Sequence, residues 1–361
     1  MEQVDKLQIE NVKREKLKRE KPLVFEKILK LKDKFARGES IAIIDIVYDY
    51  ACNLRCEHCL NTKLEKKGRA LTLDDLRGLS QQADALGLCQ FNISGGEPLL
   101  FKEIDDIILA LNPQKFHISM STNGHFLSPE RAKHLKAIGL DKVKISLDSI
   151  DEEIHNRNRR SKLAYRKAMD AIFAAKGAGL DVILQHVVTH QSAQSDNMIQ
   201  IAQFAQENGF TLDMLVARAL GEWEGKPEVL IDEQDACFLR DLHEKYPAAR
   251  RDVFPSYGME RGCGAVNCTL HVTKYGDVLP CVYIQIAIGN LFEEPLARII
   301  ERGFSIKHFR EFNPRCLSGE DQGFIDKYMS KLNGRPLPMH YSEAFGPEDM
   351  VDPIEPQGEP E

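Results

Sequence analysis

From residue 41 onward the chain alternates short apolar, β-rich runs with longer stretches of helical periodicity. The runs 41–49, 89–94, 116–121, 142–147, 181–188 and 211–217 predict strands, and the spacing between them predicts helices near 73–86, 103–111, 129–138, 162–178 and 196–208. Thr72, Ser128 ahead of Pro129, and Ser195 or Asp196 stand where N-caps belong. Strands separated by crossover helices run parallel with right-handed connections, so the sheet curls. Six βα units are too few to close an eight-stranded barrel. The expected fold class is therefore α/β: a partial (β/α)6 TIM-like barrel over residues 41–220, with its chemistry at the C-terminal ends of the strands.

The flanks read differently. Within an N-terminal helical extension (1–40), Leu23, Val24, Ile28, Leu31 and Phe35 recur at helical spacing, predicting an amphipathic helix over 21–37 with its basic residues outward. Residues 221–262 break the βα rhythm with Gly, Pro and mixed charge around one short helix, 232–245, and form a bridging segment. A second, smaller unit follows over 263–330. In it the runs 269–273 and 278–284 flank Lys274-Tyr275-Gly276-Asp277, a β-hairpin signature, and a helix over 294–302 comes next. Residues 331–361 form an acidic, Pro-rich tail, expected to be solvated or to lie as an extended strap.

Charge sharpens this picture. The net charge of −7 comes from residues 341–361, which hold seven acids and no Lys or Arg; the remaining 340 residues balance 48 acids against 48 bases. The body therefore carries no strong field for nucleic acid or an anionic membrane. The first forty residues hold twelve Lys/Arg and eight Asp/Glu, and no apolar run there has the length of a secretory core or a membrane span. Nine cysteines in such a chain read as ligands rather than disulfides, which points to a reducing, cytoplasmic setting.

Cys52, Cys56 and Cys59 fall within eight residues, directly after the first predicted strand. Three thiolates can hold three irons of a [4Fe–4S] cluster and leave the fourth open, whereas electron-transfer clusters are fully ligated. A zinc site is the alternative, with His58 nearby, although zinc prefers two separated Cys pairs. After the second strand comes Ser94-Gly95-Gly96-Glu97-Pro98, where two glycines admit close approach of a ligand to the backbone and Glu97 can accept hydrogen bonds from an ammonium. Ser121-Thr122-Asn123-Gly124 follows the third strand, Ser146-Leu147-Asp148-Ser149 the fourth, and then comes His155-Asn156-Arg157-Asn158-Arg159.

Together these motifs resemble the radical S-adenosylmethionine (radical SAM) enzymes over roughly residues 41–220. The resemblance implies that Cys52, Cys56 and Cys59 hold a [4Fe–4S] cluster whose open iron binds SAM. It places Gly95, Gly96, Glu97, Pro98, Asn123, Ser146, Asp148 and Arg159 around that cofactor, with Glu97 on the methionyl amine, Ser146 near the ribose or carboxylate, and Arg159 on the carboxylate. Arg157 and Arg160 compete for the last role. It also implies an external one-electron donor, a flavodoxin or ferredoxin, and reductive cleavage of SAM to a 5′-deoxyadenosyl radical that abstracts hydrogen from substrate.

Cys263, Cys268, Cys281 and Cys316 bracket and follow the hairpin, and this region resembles the SPASM/twitch extension of radical SAM enzymes. Four cysteines imply one auxiliary [4Fe–4S] cluster. With Cys316 included that cluster is closed and suits electron relay or structural support; a three-ligand site open to substrate, or a zinc site, are the alternatives. Cys89 reads as core. Candidates for substrate contact or catalysis are Arg218, Glu222, Trp223, Tyr257 and Tyr283, with Cys237 as a hydrogen donor. Val282 follows Cys281, where sulfatase-maturing relatives carry Asp, which disfavours that activity. The expected function is a radical SAM oxidoreductase acting on a small-molecule substrate (a carbohydrate, aminocyclitol or nucleoside) by dehydrogenation, epimerisation or a related C–H transformation. A peptide-modifying maturase is the rival, and a non-catalytic iron–sulfur or zinc protein the remote one.

Overall fold

The computed structural model describes residues 14–62, 64, 68–251, 253–254, 259–260 and 262–352. Six strands, β1 (Ile43–Val47), β2 (Gln90–Ser94), β3 (His117–Thr122), β4 (Lys142–Ser146), β5 (Asp181–Val188) and β6 (Thr211–Val216), pair in sequence order, all parallel. β2–β6 end within a residue of their predicted runs, and β1 is two residues shorter at each end than its run of 41–49. The helices between them start where polar caps allow: Thr72 forms a capping box with Asp75, Ser128 accepts from Arg131 N–H ahead of Pro129, and Ser195 accepts from Met198 N–H.

Alternate residues of each strand face opposite ways. One face carries Ile44, Ile46, Phe91, Ile93, Ile118, Met120, Val143, Ile145, Leu184 and Leu212, buried against helix residues such as Leu76, Ile107, Leu135 and Ile172. The other carries Asp45, Ser94, Ser121, Lys144, Gln185 and Asp213, which keep partial exposure. Lys144 on β4 senses both Asp213 on β6 and Asp45 on β1, so the sheet curls enough for this second face to look inward on itself. The result is a partial barrel with a polar, water-accessible interior.

Three features depart from the sequence reading. First, the sheet is wider than six strands. β7 (Ala249–Arg250) adds a parallel strand beside β6 from the bridging segment. On the other edge β8 (Thr269–Val272) pairs parallel with β1, Asp45 opposite His271, and β9 (Asp277–Leu279) returns antiparallel. Two further short strands, β10 (Ile286–Ala287) and β11 (Gly289–Asn290), follow, and the sheet order is β11-β9-β8-β1-β2-β3-β4-β5-β6-β7. The hairpin unit is thus hydrogen-bonded into the barrel rather than set apart from it.

Second, the N-terminal helix breaks at Lys30 into Pro22–Leu29 and Leu31–Ala36, and its lysines do not simply face outward. Lys21 Nζ donates to Phe116 O at 3.0 Å and pairs with Asp141; Lys27 Nζ donates to Leu88 O and Lys115 O; Lys34 Nζ reaches Leu86 O. These carbonyls precede β2 and β3, so the helix closes the N-terminal end of the barrel, opposite the predicted site. Val24 and Leu31 pack there with Ile41, Cys89, Met259 and Cys268, which makes Cys89 a core residue as read.

Third, residues 331–352 are folded onto the C-terminal unit. β12 (Met339–His340) pairs with β10, and Val351 N–H donates to Ser305 O at 2.8 Å. Asp349 is buried and accepts from Tyr328 Oη at 2.5 Å and Lys327 Nζ at 3.1 Å. Burial opposes its ionisation, but these donors outweigh it and hold the carboxyl well below the usual range. Local acidity concealed this anchor. The rest of the tail, from 353, lies outside the described residues.

Replacing Lys21 with Ala removes a largely buried charged donor and strands Asp141. We expect a stability loss of about 2 kcal/mol, read by denaturant melting, with the C-terminal end of the barrel unaffected.

Candidate functional site

The loop after β1 carries Cys52, Cys56 and Cys59, and it lies across the end of β2. Gly96 N–H donates to Asp49 O at 3.0 Å and Glu97 N–H to Ala51 O at 2.8 Å. A Cβ at Gly95, where φ is +127°, would collide with Asp49 O, and one at Gly96 with Ala51 O. The glycines therefore admit the backbone of the cysteine loop, where a ligand's approach had been the expectation. Asn61 Nδ2 donates to Gly95 O and Asn123 Nδ2 to Asn53 Oδ1 at 2.9 Å, tying the loop to β2 and β3.

Glu97 is fully buried. It accepts from Thr122 Oγ1 at 2.6 Å, Asn123 N–H at 2.8 Å and Leu99 N–H at 3.1 Å. Burial pushes its pKa up, and these three donors only partly offset that. Three acceptor positions of the carboxylate are thus filled from within, and Glu97 holds the Thr122-Asn123-Gly124 turn against the cysteine loop. Pro98 follows as the first residue of a short 3-10 turn.

Arg159 occupies a place different from the one expected. Its Nε and Nη2 donate to the two carboxylate oxygens of Asp148, both at 2.7 Å, and its Nη1 lies 3.7 Å from Cys56 Sγ. Both side chains are buried. Burial opposes ionisation of Asp148, but Arg159 and then His58 overcome it and hold the carboxyl well below the usual range. Arg159 is thus a charge placed behind the triad, with its bidentate face already occupied. Of its neighbours, Arg160 pairs with Glu222 at 2.6 and 2.9 Å, and Arg157 is exposed. Ser146 ends β4 on the inward face.

Beside the triad lies a cavity of about 430 Å³ lined in part by His58, Asp148, His186, Val187, Trp223 and Val229. Burial and the Arg159 charge push His58 down to about 4, so its imidazole is neutral at pH 7. Trp223 Nε1 donates to Glu57 at 3.1 Å. His186 is buried beside the backbone of Leu147 and Asp148, and burial pushes its pKa down.

The second cysteine set differs from its expectation. Cys263, Cys281 and Cys316 sense one another's charge, and burial drives Cys281 up to about 12 and Cys263 well up. Cys268, just before β8, packs with Val24, Leu31 and Met259. Cys263, Cys281 and Cys316 are thus the three thiols that interact with one another, while Cys268 lies beside Gly264. Arg218 is buried beside them: Nη2 lies 2.9 Å from Cys316 Sγ, Nε donates to Ser318 Oγ, and its guanidinium stacks 3.7 Å from the Tyr283 ring centroid. Arg218 and Tyr283 thus meet at the site. Cys237 does not: it is exposed on the helix Glu233–Lys245, its sulfur beside Arg240. Tyr257 lies outside the described residues.

Neither set shows the close packing of a closed zinc site. Tetrahedral thiolates at 2.3 Å from zinc stand about 3.8 Å apart. Among the described residues no three cysteine sulfurs come within 4.8 Å of one another; the one group that does is His190, Asp232 and Asp235, which is a helix cap. Wider spacing suits the larger iron–sulfur cubane.

Comparison with known proteins decides the family. A family model described as the radical SAM superfamily matches residues 46–204, and one described as an iron–sulfur cluster-binding domain, SPASM, matches 263–318. The chain carries a radical SAM domain and a SPASM domain. These imply a [4Fe–4S] cluster, SAM and an auxiliary iron–sulfur cluster. A probable GTP 3′,8-cyclase of Methanocella arvoryzae is 28% identical over 257 residues, covering 68% of this chain and 83% of that protein. The GTP 3′,8-cyclase of Corynebacterium glutamicum strain R is 34% identical over 209 residues, but the match spans only 54% of either chain. Streptococcus suis SuiB bound to S-adenosylmethionine shares the fold with TM-score 0.57 at 20% identity, covering 72% of this chain and 65% of that one. Among the described residues no helix is long and apolar enough to cross a membrane.

Sequence reasoning missed the inward Asp45–His271 pair (2.8 Å), which Asn92 at 2.5 Å and Ser94 at 3.0 Å also support. Its signal was the polar alternate position in each barrel strand, but the β1–β8 pairing that assembles it is nonlocal.

Gly96→Ala is expected to displace the Ala51 carbonyl and abolish iron loading at the triad, about half of the total, while far-UV dichroism is retained; iron analysis after anaerobic reconstitution checks this. Asp148→Ala strands the buried Arg159 and is expected to cost about 3–5 kcal/mol in a melting experiment.

Proposed function

We propose that Cys52, Cys56 and Cys59 hold the SAM-binding [4Fe–4S] cluster, that Cys263, Cys281 and Cys316 hold the auxiliary one, and that the substrate is a small polar molecule of nucleoside type. The observation that carries this reading is the polar, water-accessible barrel interior, with the cysteine loop after β1 and the hairpin beside β1 at one edge. The relatives named as GTP 3′,8-cyclases support a nucleotide substrate and a cyclisation or rearrangement; none of the named relatives supports a carbohydrate or aminocyclitol. SuiB and the other solved structures resemble this chain in fold alone.

When bound, the cluster and SAM supply hydrogen-atom abstraction from an unactivated C–H bond. The chain's own residues orient and shield. The cavity lined by His58, His186, Val187 and Trp223 offers an apolar wall and two imidazole rings to the adenosine of SAM. Glu97 and Asn123 fix the loop around its methionyl end. Asp45, His271, Asn92, Lys144, Gln185 and Asp213 line the interior with donors and acceptors for a polar substrate. With these three thiols as its ligands, the auxiliary cluster would keep one iron without a protein ligand and open to substrate.

The test is 5′-deoxyadenosine formation by the anaerobically reconstituted, dithionite-reduced protein. Formation is expected to rise severalfold with GTP or guanosine and to vanish in C52A/C56A/C59A. Stimulation by peptides and not by nucleosides would overturn the substrate assignment, and cleavage surviving in the triple variant would overturn the triad's role.

A further inference from the structure

Each cysteine set has one buried arginine reaching a single sulfur, but the two arginines differ in geometry. Arg159 grips Asp148 through two hydrogen bonds and stands 3.7 Å from Cys56 Sγ. Arg218 stands much closer, 2.9 Å from Cys316 Sγ, in direct N–H···S contact. Its orientation is fixed on all sides: Nη1 reaches the carbonyl of Val216 at the end of β6, Nε donates to Ser318 Oγ, and the planar group lies against Tyr283. Cys316 is equally fixed. Its carbonyl accepts from Gly319, Glu320 and Asp321 N–H, its own N–H donates to Glu320 Oε2, and Glu320 pairs with Arg251. A cation held this rigidly against a metal-ligating sulfur has an electronic consequence.

We propose that Arg218 is a positioning residue that raises the reduction potential of the auxiliary cluster through its N–H···Sγ contact with Cys316, making that cluster the easier of the two to reduce. The potential of an iron–sulfur cluster follows its net charge and the hydrogen bonds to its sulfurs. A guanidinium at hydrogen-bond distance favours the more negative, reduced state, and burial strengthens the effect. Stacking on Tyr283 keeps the cation in place without neutralising it. Arg159 has a weaker effect at its own cluster, because Asp148 balances its charge and the sulfur is farther away.

The proposal rests on the auxiliary cluster standing at Cys263, Cys281 and Cys316, and its test separates the two claims. The full-length C52A/C56A/C59A variant, reconstituted anaerobically, leaves the auxiliary cluster as the sole paramagnet for an EPR redox titration. Against this parent, Arg218→Gln and Arg218→Met are expected to hold the same iron and to titrate at a more negative midpoint, with Arg218→Lys between them and the parent. An unmoved midpoint at equal iron content overturns the proposal. So does loss of iron from both the Gln and the Met variant, which would make Arg218 a structural support of the cysteine site. A parent that holds no iron rejects the auxiliary-cluster reading itself, before any change at Arg218 is made.

Discussion

β1 is hydrogen-bonded on both sides, to β2 through the register Ile43↔Gln90 and to β8 through Ile43↔Thr269, and the rest of the site depends on that double pairing. One strand thereby sets two cysteine sets. Its C-terminal loop carries Cys52, Cys56 and Cys59, and its free edge receives the hairpin that Cys263 and Cys281 bracket. Without β8 in the sheet, the C-terminal unit would hang from a linker and the two sets would have no fixed relation. With it, both adjoin one polar interior, and Asp45 and His271 meet across the seam.

Crowded backbone, more than side-chain contact, holds the first set in place. The carbonyls of Asp49 and Ala51 occupy the space where Cβ atoms of Gly95 and Gly96 would be, and backbone hydrogen bonds lock the crossing. Glu97 then anchors the next turn by accepting from Thr122, Asn123 and Leu99. Residues read as direct cofactor contacts thus first build the frame that such contacts require. The same holds for Arg159, whose fork is closed by Asp148.

Much of this was legible in the sequence because it is local. The six barrel strands follow from apolar runs of strand length, the helix starts from Thr72, Ser128 and Ser195, and the triad from spacing alone. What was not legible is nonlocal. β7 is two residues long in a Gly/Pro-rich stretch and exists only because β6 offers an edge. Cys268 follows Cys263 closely enough to suggest a shared metal, and the packing of the N-terminal helix residues Val24 and Leu31 around it is nonlocal. The tail reads as acidic and solvated, but Asp349 is a buried acceptor for Tyr328 and Lys327. The N-terminal lysines read as a solvated face, whereas Lys21, Lys27 and Lys34 find backbone carbonyls at the barrel's base.

Two three-cysteine sets are proposed to face one barrel interior. Anomalous diffraction at the iron edge from anaerobically reconstituted crystals with SAM tests this arrangement most directly. Two iron clusters are expected, one at Cys52, Cys56 and Cys59 after β1 and one at Cys263, Cys281 and Cys316 beside the β8–β9 hairpin, with Cys268 unligated. A cluster ligated by Cys268, or an auxiliary cluster facing away from the interior, would contradict it.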